Sequence, residues 1–139
     1  MSVQVKQAEF IENFNFFDDW EDKYSFIISL GKSLPEYPND KKDELHLVRG
    51  CQSQVWFDVE YKDGKLFFSG TSDALIVSGL IGMLIEVYSN QTPLDIKNSS
   101  TDFIKEMNLH HHLSSTRTNG LAAMLDYIYH YAKTYDERS

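Results

Sequence analysis

Hydrophobic and polar positions follow two different periods along the chain, and the change of period separates helical from extended segments. Phe10, Phe14 and Phe17 follow helical spacing and predict a short amphipathic helix near the N-terminus. Asp18 or Asp19 is the predicted N-cap of a second helix, since an aspartate oxygen accepts hydrogen bonds from the free N–H groups of a first turn. The chain is therefore predicted to begin with two helices.

Residues 54–61 alternate between apolar and polar side chains, which is the pattern of a half-buried strand. Asp63-Gly64 follows this run and favours a tight hairpin, since both residue types tolerate positive φ. Residues 66–71 are predicted to return as the partner strand. The polar segment before the first strand, residues 35–44, contains two prolines and is predicted to be a surface loop.

Four further helical segments are predicted after the hairpin. The first, residues 74–90, follows Ser72 or Asp73 as a predicted cap and has a wide apolar side. It is therefore expected to be the central core helix across the sheet, with Gly79 and Gly82 permitting close contact. The other three are predicted near residue 93, at 102–107 and at 115–135. The architecture is one α+β domain, residues 1–139, with helices packed on a small antiparallel sheet of about three strands.

The charge and the apolar runs exclude several classes of partner. The formal net charge is −8, from 21 acidic and 13 basic residues. An acidic surface repels phosphate backbones and anionic lipid, so neither nucleic acid nor a membrane is an expected partner. Residues 1–10 lack the pattern of a signal peptide. No apolar run approaches the roughly 20 residues of a transmembrane helix, and we expect a cytoplasmic protein.

Cys51 is the only cysteine, so an intrachain disulfide and an iron–sulfur cluster held by this chain's thiolates alone are both excluded. It follows Gly50, precedes the predicted strand, and has the polar neighbours Gln52 and Ser53. A lone cysteine is often a small buried hydrophobic residue. The polar neighbours and the position on a loop before a rigid strand favour instead a reactive thiol.

Four segments resemble the SufE family, the sulfur-acceptor partners of cysteine desulfurases. The first is Gly-Cys-Gln-Ser-Gln-Val-Trp at residues 50–56, and the others lie within residues 19–35, 72–80 and 113–121. They occur in the family's order, with similar spacing, over nearly the whole chain. Ser115 departs from the pattern because it stands where the family has a proline. The histidine run at residues 110–112 is local to this sequence.

The resemblance implies a SufE/IscU-like fold and a protein that docks a SufS/CsdA-type cysteine desulfurase and stimulates it, with no turnover of its own. Cys51 is implied to receive sulfane sulfur as a persulfide and to pass it to an iron–sulfur assembly scaffold. No cofactor is implied for this chain, since pyridoxal phosphate belongs to the desulfurase. Arg117 is implied to lie near the cysteine and to stabilise its thiolate or persulfide. The implied loop and docking support comes from Gly50, Gln52, Ser53, Trp56 and Asp73.

Two alternatives to a sulfur acceptor remain open on the residues alone. The first is a thiol hydrolase in which Cys51 is the nucleophile and a histidine is the base. Its candidate bases are His46, His110, His111, His112 and His130. The second is a protein-binding module in which Cys51 is structural. We expect no metal site, because three consecutive histidines do not converge on one ion in either a helix or a strand.

Overall fold

The structure is a computed structural model that describes residues 2–51 and 53–138, without the side chains of residues 110 and 138. The helices and strands of this part of the chain are α1 (Val3–Asn15), α2 (Trp20–Lys32), β1 (Val55–Lys62), β2 (Lys65–Ser72), α3 (Leu75–Tyr88), α4 (Pro93–Lys97), α5 (Asp102–Glu106), α6 (Leu109–His112) and α7 (Ser115–Arg138). None of the described helices is both long and apolar enough to cross a membrane.

β1 and β2 form an antiparallel hairpin. Its turn residues have φ of 54° at Asp63 and 79° at Gly64, as the predicted tight hairpin requires. Within the described residues these two strands make up the whole sheet. Single bridges lie on its two edges, from Leu47 to Trp56 and from Leu66 to Gln91. The predicted α+β architecture is confirmed, but the sheet of the described residues has two strands instead of the predicted three or so, and its edges carry only single bridges.

α3 is the central core helix, and it contacts α1, α2, α7 and β2. Most of its residues are buried. A Cβ atom on Gly79 would lie 2.3 Å from the carbonyl oxygen of Ile27 in α2, and one on Gly82 would lie 2.8 Å from that of Leu30. The backbones of α2 and α3 therefore touch, which only glycine allows, and the predicted close contact is confirmed.

The predicted caps of the helices have a mixed outcome. The side chain of Asp19 accepts a hydrogen bond from the backbone N–H of Asp22 at 2.8 Å, so the predicted cap of α2 is confirmed. The predicted cap of α3 is wrong, because this helix begins at Leu75 with Ala74 at the N-cap and no side-chain cap. The physical reason is that β2 continues to Ser72, so Ser72 belongs to the strand and Asp73 to the connection between strand and helix.

Candidate functional site

Cys51 lies half-buried in the loop that joins the Leu47 bridge to β1. The described residues of this segment, 49–51 and 53–54, are called the cysteine loop here. The loop rests against α7. Gly50 has φ of +95°, a conformation that favours glycine, and a Cβ atom there would lie 3.3 Å from the Cβ of Ala123. The Cys51 thiol faces the Gly120 carbonyl oxygen at 3.7 Å and donates a weak hydrogen bond to it. The loop therefore packs on two small residues one turn apart on α7, Gly120 and Ala123.

A small cavity of about 20 Å³ lies beside the Cys51 sulfur. That volume is close to the space that one water molecule needs. Its walls come from three parts of the chain that are distant in sequence: the cysteine loop, the start of α3 and the first turns of α7. The lining residues are Cys51, Ser53, Val77, Leu80, Thr116, Arg117, Gly120 and Met124. The thiol thus has room for about one further atom.

Burial raises the pKa of the Cys51 thiol above its ordinary value. Desolvation disfavours the charged thiolate. No positive side chain among the described residues lowers the pKa of Cys51 in the resting arrangement. The hydrogen bond to Gly120 requires the same protonated form, since only S–H can donate. Because the thiolate is the nucleophile, the resting structure disfavours the reactive form of the cysteine.

Arg117, in the first turn of α7, lines the same cavity and is exposed to solvent. Its backbone N–H donates to the hydroxyl of Ser114 at 3.3 Å. Among the described residues the guanidinium forms no ion pair. The position is unfavourable with respect to the helix dipole, which repels a cation at the N-terminus. The structure therefore brings an uncompensated positive charge to the rim of the cysteine cavity.

The remaining predicted site residues differ in whether they line the cavity. Ser53 lines the cavity, whereas Trp56 does not. Trp56 is half-buried in β1, where it alternates with the buried Val55 and Phe57 and so faces the other side of the hairpin. Asp73 is exposed in the connection before α3. Gln52 lies outside the described residues.

Polar contacts hold the segment that leads to the cysteine loop against β1. The ring of His46 contacts the carboxylate of Asp43 at 2.7 Å and that of Asp58, in β1, at 3.6 Å. Lys41 forms an ion pair with Asp58 at 2.6 Å. Tyr37 is only 5% exposed although its segment was predicted to be a surface loop. Burial, followed by the charges of nearby carboxylates, raises its pKa to about 12. One end of the cysteine loop is therefore anchored.

The rings of His46, His112 and His130 contact residues other than Cys51. The ring of His112 stacks on that of Trp20 with centroids 3.5 Å apart, and the Tyr24 hydroxyl donates to the His112 carbonyl. His130 packs edge-on against Tyr131. No histidine is among the described residues that line the Cys51 cavity, and the side chain of His110 lies outside them. Among the described side chains, the hydrolase alternative thus has no histidine base that lines the cavity of the thiol.

The described residues contain no group of three or more histidine, cysteine, aspartate or glutamate side chains placed to hold a metal ion. The prediction that the histidine run forms no metal site was made from spacing alone. The observed contact of His112 with Trp20 gives that residue a packing role between α6 and α2.

Sequence reasoning missed most of the cavity wall. Val77 and Leu80 were noted only as part of a helical segment that resembles the family, and Met124 and Ala123 were not singled out. The available signal was Gly120. A glycine inside a helical pattern lowers helix stability, and its presence therefore points to a packing or functional reason.

Comparisons with known proteins identify the family of the chain. Residues 8–132 match the SufE family, described as the Fe-S metabolism associated domain. An uncharacterised SufE-like protein of Rhizobium meliloti (strain 1021) is 38% identical over 122 residues, covering 84% of this chain and 87% of that protein. A second one, of Rhizobium etli, is 38% identical over 131 residues, covering 90% and 88%.

A solved structure supports the fold. The chain is similar to a hypothetical protein of Thermus thermophilus known from a solution structure, with a TM-score of 0.78. The likeness covers 93% of this chain and 94% of that chain at 20% identity, so it bears on the fold alone.

Proposed function

Because the chain belongs to the SufE family, which is associated with iron–sulfur metabolism, we propose that it is a sulfur acceptor. It takes sulfane sulfur from a cysteine desulfurase as a persulfide on Cys51 and passes it to an iron–sulfur assembly scaffold. One observation supports this most strongly. The only thiol of the chain lies beside a cavity with room for about one atom, and a free arginine lines that cavity.

The proposed transfer moves one neutral sulfur atom between two cysteines. The thiolate of Cys51 attacks the outer sulfur of a persulfide on the desulfurase. A new sulfur–sulfur bond forms on Cys51, and the bond in the donor persulfide breaks. Its electron pair stays on the donor's cysteine sulfur, which leaves as a thiolate and takes up a proton. No oxidant or reductant is consumed, because the sulfane sulfur keeps its oxidation state.

The resting arrangement sets the conditions for that step. Burial and the hydrogen bond to Gly120 favour the protonated thiol of Cys51, which must lose both its proton and this contact before it attacks. An outward movement of the cysteine loop achieves this by exposing the sulfur to water and to the donor site. Arg117 then stabilises the thiolate or the anionic persulfide, since an opposite charge nearby favours the charged form. The acceptor is therefore unreactive alone and reactive when docked.

After transfer, the loop closes and returns the loaded sulfur to the cavity. A cavity of about 20 Å³ has room for about one small atom. A persulfide exposed at the surface would meet reductants and oxidants, whereas an enclosed one is protected. The cavity thus suits a carrier that must hold sulfur between donor and scaffold.

The docking face is proposed to include the start of α3. Leu75 begins this helix two residues before Val77, which lines the cavity, and it is 65% exposed. A large exposed apolar side chain beside a functional cavity is a typical interface residue. The partner that it fits is the desulfurase, since transfer requires the donor persulfide to reach Cys51.

The proposal is tested by the rate of sulfide release from a SufS-type cysteine desulfurase supplied with L-cysteine and dithiothreitol. Adding this protein should raise the rate, and the Cys51→Ser variant should lose the effect while circular dichroism shows it folded. An equal stimulation by the serine variant would contradict a role for the Cys51 sulfur.

A further inference from the structure

Gly120 lies inside α7, where glycine is unfavourable. Relative to alanine, glycine in a helix interior loses more backbone entropy on folding. Its φ does not fall in the left-handed region, so the backbone conformation does not require glycine. A requirement for glycine at this position must come from what surrounds the missing side chain.

The surroundings of Gly120 leave more room than the unloaded cysteine uses. An added Cβ would meet only Cys51, at 3.6 Å from Sγ and 4.0 Å from Cβ. Both distances are ordinary van der Waals contacts, so alanine would fit against the free thiol. Neither the helix nor the resting cysteine therefore explains the glycine.

A sulfur atom added to Cys51 changes this conclusion. The outer sulfur of a persulfide lies roughly 2 Å from the inner one, as in a disulfide. If it is directed into the cavity wall at Gly120, it comes far inside van der Waals contact with an alanine Cβ that is 3.6 Å from Sγ. The small cavity beside Sγ, of about 20 Å³, is lined by the same glycine. An added methyl group would occupy the space that an outer sulfur needs.

We propose that Gly120 is a positioning residue that reserves space for the outer persulfide sulfur in the closed cysteine loop. This inference rests on the proposed function, since it assumes that Cys51 carries sulfur. Gly120 acts through the volume that it leaves empty, and it does not touch the donor. It determines how long the loaded state survives, whereas it has little effect on the resting thiol.

The test is a Gly120→Ala variant that is loaded by a desulfurase with L-cysteine and then separated from both. Dithiothreitol is added, and the mass of the peptide containing Cys51 is followed with time. Each persulfide is reduced to a thiol and hydrogen sulfide while the dithiol becomes a disulfide. We expect loss of the extra sulfur to be about tenfold faster than in the unmodified protein, because overpacking the closed state favours the open loop.

Two measurements separate this role from a general structural one. Alkylation of the unloaded thiol by iodoacetamide should stay within about twofold of the unmodified rate, since a 3.6 Å contact is tolerated. Asp126→Ala is the matched control, because Asp126 is exposed on the same helix and alanine also raises helix propensity there. The control should change neither rate.

A second variant tests the same volume if Gly120→Ala fails to fold. Val77→Ile adds one carbon to another wall of the cavity and leaves Gly120 unchanged. It should also shorten the persulfide lifetime, by a smaller factor. The inference would be overturned if the persulfide lasted as long in Gly120→Ala and Val77→Ile, or in whichever of them folds, as in the unmodified protein. The proposed function would then remain intact. An unmodified protein that never gains sulfur would instead overturn the proposed function.

Discussion

The helical glycines Gly79 and Gly120 each face a neighbouring element, and the space that each leaves is different. Gly79 faces α2, where a Cβ would lie 2.3 Å from the carbonyl oxygen of Ile27, so no side chain fits. Gly120 faces the cysteine loop, where a Cβ would lie 3.6 Å from Cys51 Sγ and fits. The first contact is closed and serves packing. The second leaves room beside Cys51 Sγ for about one more atom, which a cysteine that carries an added sulfur needs.

The largest expected effect comes from alanine at the closed contact. Gly79→Ala should destabilise the fold by about 3 kcal/mol or more, because a backbone-to-backbone contact cannot yield without moving a whole helix. Gly120→Ala should be neutral or stabilising by about 0.5–1 kcal/mol, as expected for a helix interior. Urea unfolding of both variants measures the difference. A Gly120→Ala variant as unstable as Gly79→Ala would show that both contacts are closed.

The half-buried position of Cys51 should also lower its rate of reaction with iodoacetamide. At pH 7.5 the folded protein should react with iodoacetamide at least about tenfold more slowly than the urea-unfolded chain, because burial reduces both access and the thiolate fraction. The rate should rise with pH and level off above about 8.5, the ordinary cysteine pKa, because burial raises the pKa of Cys51. Folded-state alkylation as fast as in the unfolded chain would contradict a sheltered thiol.

The raised pKa of Cys51 also makes the stability of the fold depend on pH, and its contribution falls as pH rises. The folded chain keeps the Cys51 proton to a higher pH than the unfolded chain does. The stability contribution is therefore complete below the ordinary cysteine pKa, and it is lost as pH rises through the raised value. Cys51→Ser, which has no thiol to titrate, should lose less stability between neutral and alkaline pH when urea unfolding is measured at both.

A smaller effect distinguishes the start of α3, beside the cysteine cavity, from a surface of α4 that does not line the cavity. Leu75→Glu should weaken the stimulation of a desulfurase by about tenfold, since a buried charge at an interface is costly. Leu94→Glu is the matched control, because Leu94 is a similarly exposed leucine, 52% against 65%, in α4. The apparent affinity from sulfide-release titrations measures both. Equal losses would show that the partner does not select the start of α3.

Periodicity predicted most of the fold because the relevant contacts are local. Each correct prediction depends on residues that are close together in the sequence. Examples are the spacing of Phe10 and Phe14, the Asp63-Gly64 turn and the Asp19 cap. The cap of α3 was not predictable in the same way, since β2 extends to Ser72 and moves the helix start to Leu75. Nor was the burial of Tyr37, which depends on tertiary contacts of a loop whose composition is polar.

The candidate site was only partly predictable, for a related reason. Cys51 stands out because it is the only thiol, and the family resemblance points to it and to Arg117. The cavity brings together residues from the cysteine loop, α3 and α7, so its volume depends on packing between segments far apart in sequence. Gly120 belongs to one of the resembling segments, but the room that it leaves beside Sγ could be measured only in three dimensions.

The most direct test of the central claim is the mass of the Cys51 peptide after the protein has been incubated with a cysteine desulfurase and L-cysteine. A sulfur acceptor predicts a gain of one sulfur atom on that peptide, removable by dithiothreitol and absent from Cys51→Ser. A desulfurase that turns over beside this protein while the Cys51 peptide keeps its original mass would contradict the claim.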